Sequence, residues 1–482
     1  MKSYLPKLYC FLAALIILFI VPASGVQYSW NRTFGGTYGE GAWSLQETND
    51  GGYIIAGYTC GLGERGDLLL VKTDSSGKEQ WNRVFGGTDE DVGYFVRQTR
   101  DGGYIVTGST GSYGIGEERL WLLKTDSSGN KEWDRTFGGF VSSSGDGGWC
   151  VDETDAGYDE TDAGYILTGY TRSYGSGGKD LWLIKTDPLG IEQWQKAFGG
   201  SKDDVGMSVA RALDGGYIVA GRAASFSQGD DDIWLLKVDS SGREQWNKTY
   251  GGQKDDVCFQ VVCLEDGYAL TGRTEVAGGK KAFLLKTDLQ GKKKWERTYG
   301  KDSTGISLQR THEGGFIIAG STDTPGNGKD ALLIKTDSAG KEQWTLPLGG
   351  PQDDIGTAIV ESRDGGYALA GITGSNGSGA EKVWLVKLMA DNIAGNITLG
   401  NIIPINATSI NATSGNISTE NTTLENSISQ NSTSMAVPEI GSKNITDTRI
   451  TANALNLDIP KLAIDRMPAK PPAFGSAKKG AD

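Results

Sequence analysis

Seven tryptophans, Trp30, Trp81, Trp133, Trp194, Trp246, Trp295 and Trp344, recur about every fifty residues along this 482-residue chain. That period is too long for ankyrin or tetratricopeptide units, and the intervening sequence lacks their helical pattern. It matches a four-stranded blade of a β-propeller. One interval, Trp133 to Trp194, is longer than the rest because DETDAGY occurs twice in tandem, at Asp152 to Tyr158 and at Asp159 to Tyr165. A surface loop between two strands can absorb such a duplication at small entropic cost.

Each unit carries four strand signals. In the second unit they are a (Val92 to Gln98), b (Tyr104 to Ser109), c (Leu120 to Thr125) and d (Glu132 to Phe137). Asp101-Gly102-Gly103 joins a to b and Asp126-Ser127-Ser128-Gly129 joins c to d, both tight-turn chemistry in which glycine supplies a positive φ. Runs such as YIIAG and LWLLK are almost continuously apolar, as befits strands covered on both faces.

The two ends of the repeat complement each other. A d-type segment, Tyr28 to Gly36, comes before any a, b or c strand. The seventh unit supplies a (Ile355 to Glu361), b (Tyr367 to Ile372) and c (Val383 to Leu388), and then has no d. The amino-terminal strand is therefore expected to complete the last blade, closing a ring and removing the open edges of a linear array. The fold class is all-β, a seven-bladed propeller spanning residues 26–390.

Outside the ring the composition changes twice. Lys2 and Lys7 precede an apolar run from Leu8 to Val21 followed by small residues, the pattern of a secretory signal over residues 1–25. Fourteen apolar residues are short for a membrane span, so no integral membrane domain is expected after cleavage. Residues 391–482 are rich in Asn, Ser and Thr and hold one aromatic, Phe474, so they are expected to be a disordered tail. Asn-x-Ser/Thr triplets at Asn396, Asn406, Asn411, Asn416, Asn421, Asn431 and Asn444 mark this tail as a glycosylated stalk, with further triplets at Asn31, Asn247 and Asn376 in the ring. A secreted or cell-surface location follows from these expectations.

Composition narrows the chemistry. Sixty acidic residues against 47 basic ones give a net charge of −13, which opposes binding to nucleic acid. The single histidine, His312, leaves a multi-histidine zinc site or a histidine-dependent relay hard to assemble. Cys60, Cys150, Cys258 and Cys263 show no CxxC spacing, and strict alternation puts Cys258 and Cys263 on opposite strand faces. A lysine ends every c strand (Lys72, Lys124, Lys185, Lys237, Lys286, Lys335, Lys387) and is expected to reach past the blade edge toward carboxylates.

Two sets of residues on the face shared by the d-to-a and b-to-c loops are candidates for function. Glu40, Asp91, Asp204, Asp256 and Asp354 each lie four residues after a Gly-Gly pair. Pseudo-symmetry would gather them as a partial carboxylate ring able to attract Ca²⁺ or another hard cation; the alternative is that each caps its own loop. Tyr113, Tyr174 and Phe226 put an aromatic in the b-to-c loops of three consecutive blades, where they could stack on a glycan or grip a protein, or fold inward.

The DGGY, KTD-x-x-G and W-x-x-x-FGG signatures of Gln27 to Met389 resemble those of secreted archaeal and bacterial β-propeller repeat proteins. That resemblance implies a surface or exported protein. KTDSSGKEQW is also similar to the tryptophan-docking repeat of quinoprotein dehydrogenases, in which Asp, Gly and Trp pin one blade to the next. Here the turn is one residue shorter and the adjacent cysteine pair of those enzymes is absent. Sialidase Asp-boxes share the Asp, Gly and Trp of such a hairpin at a different spacing. The leading expectation is an exported scaffold or adhesion module that presents its loops to a glycan or protein partner. A carbohydrate-active lyase or glycosidase using carboxylates at the channel mouth, and a structural envelope component without a discrete ligand, are the other two readings.

Overall fold

A computed structural model describes residues 28–60, 66–114, 118–139, 145–154 and 163–389. The segments assigned to a signal (1–25) and to a glycosylated tail (391–482), with all seven tail asparagines, lie outside the described residues.

Among the described residues, twenty-eight strands form seven antiparallel four-stranded sheets. Six blades are continuous in sequence. The first is β2 (Glu40–Glu47), β3 (Tyr53–Cys60), β4 (Gly66–Thr73) and β5 (Glu79–Phe85), hydrogen-bonded in that order. The seventh is split: β26 (Asp354–Glu361), β27 (Tyr367–Thr373) and β28 (Lys382–Leu388) are completed by β1 (Tyr28–Phe34). Phe34 pairs with Val383 and Trp30 with Lys387, so the expected zip between the ends of the ring is formed. The strands begin within a residue or two of their expected positions; the first strand of blade 2, for instance, is Asp91–Gln98.

The first strands of successive blades touch one another all the way round, with β26 returning to β2, so they surround the axis. Their inner edges would be left with unpaired N–H groups. Side chains of the preceding blade take several of these. Ser44, Ser208 and Ser307 hydroxyls accept from Val96, Val261 and Ile359 N–H, and the Gln46, Gln260 and Gln309 amides from Gln98, Leu308 and Glu361 N–H.

The repeated residues build the joints between blades. Every fourth-strand tryptophan meets the aromatic that opens the next blade's second strand: Trp30 with Tyr53, Trp81 with Tyr104, Trp133 with Tyr165, Trp194 with Tyr217, Trp246 with Tyr268, Trp295 with Phe316 and Trp344 with Tyr367, at ring centroid distances of 5.8–6.4 Å. A glycine of the next blade's turn between third and fourth strands lies over six of them. At Gly242 φ is +77°, and a Cβ there would stand 2.7 Å from Trp194. Each such burial contributes roughly 2 to 3 kcal/mol.

The c-strand lysines do reach carboxylates. Lys72 pairs with Asp50 (2.8 Å), Lys124 with Asp101 (2.8 Å), Lys237 with Asp214 (2.9 Å), Lys286 with Asp266 (3.0 Å), Lys335 with Glu313 (3.3 Å) and Lys387 with Asp364 (2.7 Å). The acid in each case belongs to the hairpin turn between the blade's first two strands. Lys185 bonds to the Ala163 carbonyl, beside the duplicated segment, whose residues 155–162 lie outside the described ones. The duplication begins on the first strand of blade 3 (Gly147–Thr154) and ends on its second (Gly164–Thr171), which still pair from Gly147 to Thr154.

One expectation is corrected. Cys258 and Cys263 do not face opposite ways: the strand Asp256–Leu264 carries a bulge between Cys258 and Gln260, and the extra residue restores the parity. Both cysteines contact the same core between blades 4 and 5, and both are free thiols.

Candidate functional site

The loops entering each first strand and those joining second to third strands share one face, where they are stitched by backbone bonds. Gly111 N–H donates to the Glu90 carbonyl, Ala224 to Asp203, Glu275 to Asp255, Asp323 to Asp302 and Gly374 to Asp353.

The five acids expected as a ring at the channel mouth are buried, one in each of five blades, as the first residue of the innermost strand. Each accepts from the backbone N–H of the glycine four residues earlier: Gly36 to Glu40 (2.7 Å), Gly87 to Asp91 (2.9 Å), Gly200 to Asp204 (2.8 Å), Gly252 to Asp256 (2.9 Å) and Gly350 to Asp354 (2.7 Å). Asp91 and Asp354 also take the hydroxyls of Ser112 (2.6 Å) and Ser375 (2.7 Å) from the neighbouring loop. These acids therefore latch two loops together instead of lining an open mouth. Among the described residues no three or more His, Cys, Asp or Glu side chains are grouped to hold a metal ion. Asp146 does the same in blade 3, accepting from Ser173 Oγ (2.6 Å) and Thr171 Oγ1 (2.7 Å). The duplicated blade hid it, because its spacing from Gly139 differs from the other five.

Tyr113, Tyr174 and Phe226 remain 44%, 41% and 46% exposed. Each ring nonetheless rests on the third-strand tryptophan of its own blade: Tyr113 on Trp121 at 5.3 Å, Tyr174 on Trp182 at 5.6 Å and Phe226 on Trp234 at 5.3 Å. Those tryptophans are almost wholly buried. Tyr113 is further held by its hydroxyl, which donates to the Gly86 carbonyl (2.7 Å). Each ring thus packs at a tilt of 38–50° against a buried tryptophan while staying partly exposed, in three adjacent blades.

The structure adds residues on the same face that sequence reasoning passed over. Every first strand is bulged at its fourth position, counting the acid (Ser303 in blade 6) as the first. The bulged residues are Trp43, Tyr94, Trp149, Met207, Phe259, Ile306 and Thr357. Trp43 lies 6.1 Å from Tyr94 and Tyr94 4.2 Å from Trp149, while Trp149 and Phe259 pack around Met207 and Tyr170. A bulge turns its extra side chain off the regular alternation, here toward the axis. A floor of four aromatics and Met207 results, from blade 1 to blade 5.

A charged rim flanks it. Tyr58 donates to Glu381 of the adjacent blade (3.0 Å), Arg222 pairs with Asp231, and the Lys179 ammonium lies 3.5 Å from the centre of the Tyr170 ring. Burial, then the Arg172 charge, pulls the Lys179 pKa down to about 7. Burial raises Glu118 despite its hydrogen bonds and Lys179. The signal for the floor was present in the fourth residue of each a strand, but bulges cannot be read from a period-two pattern.

No family model and no curated protein matches the chain, so the archaeal and bacterial surface-protein resemblance rests on its motifs alone. Among solved structures it is similar to the WD40 β-propeller domain of Doa1 (12% identity, TM-score 0.48, covering 77% of this chain and 99% of that one). It is also similar to Sqt1 of Chaetomium thermophilum bound to the N-terminus of the ribosomal protein L10 (12%, TM-score 0.42, 74% and 98%). BBS1N in complex with ARL6DN is a third (13%, TM-score 0.43, 76% and 97%). These are likenesses of fold. The class, a closed seven-bladed propeller of four-stranded blades, is established by this chain's own strand pairing.

Proposed function

We propose that this chain is an exported binding module whose varied loop face grips an uncharged glycan at the cell surface. The observation that carries the reading is the threefold repetition of one device: an aromatic ring, half exposed, backed by a buried tryptophan in blades 2, 3 and 4. A ring fixed from behind loses little entropy when a sugar's C–H face stacks on it, which favours affinity. The chain's net charge of −13 disfavours anionic sugars. The amino-terminal signal pattern and the Asn-x-Ser/Thr tail support export and a sugar-bearing spacer. A mature chain beginning at Val26, read by mass spectrometry of the secreted protein, tests that part.

A glycan array probed with the purified full chain and with the Tyr113→Ala/Tyr174→Ala/Phe226→Ala variant tests the site. Selective binding that falls at least tenfold in the variant supports the reading. Binding that survives the triple change places the site elsewhere, turnover of the glycan makes the protein an enzyme, and capture only of proteins makes the partner a protein.

A further inference from the structure

The repeats align two positions across every joint: one near the start of a blade's third strand, five residues before its terminal lysine, and the one that opens the next blade's innermost strand or, at Asp146, immediately precedes it. Around the ring these pairs are Asp67/Asp91, Arg119/Asp146, Asp180/Asp204, Asp232/Asp256, Lys281/Ser303, Asp330/Asp354 and Lys382/Glu40. Three joints place a basic side chain there, and four place two aspartates.

In the four aspartate joints both carboxylates converge on the first glycine of the Gly-Gly pair. A Cβ on Gly86 would stand 2.0 Å from Asp67 Oδ1 and 2.8 Å from Asp91 Oδ2; on Gly199, 2.2 Å from Asp180 Oδ1 and 2.8 Å from Asp204 Oδ2. The same atoms stand at 2.2 and 2.8 Å from Gly251 (Asp232, Asp256) and at 2.0 and 2.9 Å from Gly349 (Asp330, Asp354). None of the eight carboxylates has an ion-pair partner among the described residues. Asp330, 1% exposed, has both oxygens buried without a hydrogen-bond partner, and Asp232, 5% exposed, has Oδ1 so. Two facing carboxylates out of water cannot both keep their charge unless something positive lies between them.

The other joints show what that something does. Lys382 Nζ bonds Glu40 Oε2 (3.0 Å) together with the carbonyls of Gly36 and Tyr38. Arg119 donates to the equivalent loop's carbonyls, those of Gly138 (3.0 Å) and Gly139 (2.9 Å). In the Lys382 joint a cation carried by the protein thus sits between a carboxylate and the loop carbonyls, a set of hard oxygen donors. The carbonyls of Gly87, Gly200, Gly252 and Gly350 are the equivalents of Gly36 and Gly139.

We propose that each of the four aspartate joints binds a hard divalent cation of the Ca²⁺ type, bridging its two carboxylates where Lys382 serves Glu40 in its own joint. Ca²⁺ accepts mixed carboxylate and carbonyl oxygens at about 2.3–2.6 Å in flexible geometry, whereas Mg²⁺ demands a tighter octahedron. Glu40, the fifth acid of the sequence set, has Lys382 as its cation and takes no metal.

The experiment uses the full chain stripped with chelator, then dialysed against Ca²⁺ at millimolar concentration, with bound metal read by elemental analysis and unfolding by calorimetry. Four ions per chain and a melting temperature raised by several degrees are expected. Asp330→Asn should bind three. Lys382→Asp, which sets a second carboxylate opposite Glu40 in a joint that keeps the Gly35-Gly36 pair, should bind five, so the idea stays testable even if Asp330→Asn fails to fold. A chain that binds no ion and melts alike with and without Ca²⁺ overturns the proposal, as does a stoichiometry that neither variant changes.

Discussion

The two faces of the ring differ in how faithfully they repeat. On the face of the hairpin turns, a lysine meets a turn carboxylate in six blades and a turn glycine covers a tryptophan in six. On the opposite face, equivalent positions hold Asp, Arg or Lys at the joints and Trp, Tyr, Met, Phe, Ile or Thr at the bulges. The turn face solves each of two packing problems in the same way in six of its seven copies. The loop face repeats one latch, the buried acid, in six blades but varies at the joints, the bulges and the loop aromatics.

This contrast can be broken most severely at the seam. Removing residues 26–34 takes away the strand that shares one sheet with Val383 to Leu388, and the chain should lose cooperative unfolding or melt tens of degrees lower. A melting temperature unchanged by the truncation would sink the closed ring. Next in size, Trp194→Ala should cost about 3–5 kcal/mol in denaturant melts. Trp344→Ala should cost less, because blade 7 has no turn glycine to cover that tryptophan: its third strand ends at Leu388 and its fourth is β1. Equal losses would show that the glycine lid contributes nothing.

A finer distinction separates two glycines of like backbone. Gly242→Ala puts a methyl 2.7 Å from Trp194 at φ +77°, whereas Gly215→Ala, at φ +84°, meets open space. The first should cost about 2–3 kcal/mol and the second about 1–2 kcal/mol, the left-handed strain alone.

The smallest effect is that of acid. Burial works to raise the turn carboxylates, but hydrogen bonds from the lysines, threonines and turn N–H groups outweigh it, holding Asp50 at about 2 and Asp101, Asp214 and Asp364 below their ordinary value. At these four groups the unfolded chain binds more protons than the folded one, so their contribution to stability is full above about pH 4 and falls as pH drops toward about 2. Lys72→Met should flatten that decline slightly in pH-dependent melts; a variant as acid-sensitive as the parent would deny the pair its role.

Much of this was legible beforehand because it is written in local spacing. Turn glycines, the Asp-Gly-Gly motif and the orphan strand at Tyr28 gave strand order and closure without tertiary knowledge. The lysines' targets were legible in kind, since every c strand ends in a lysine. The candidate site was half legible. Tyr113, Tyr174 and Phe226 stood out as aromatics in small-residue loops, but nothing local told that each would lie on a tryptophan eight residues further along. Glu40 and its counterparts were found, yet their burial under the loops was not, because exposure depends on the neighbouring blade.

By itself the sequence determined the period, the four strands per unit and the splice of first strand to last, since these follow from turn chemistry and alternation within about ten residues. Only the tertiary structure decided which side chains meet across the joints and which turn to the axis. Asp330 and Asp354, or Trp43 and Tyr94, belong to different blades, and one extra residue in a strand reverses every later side chain. That geometry comes from closing the ring, which no single repeat contains.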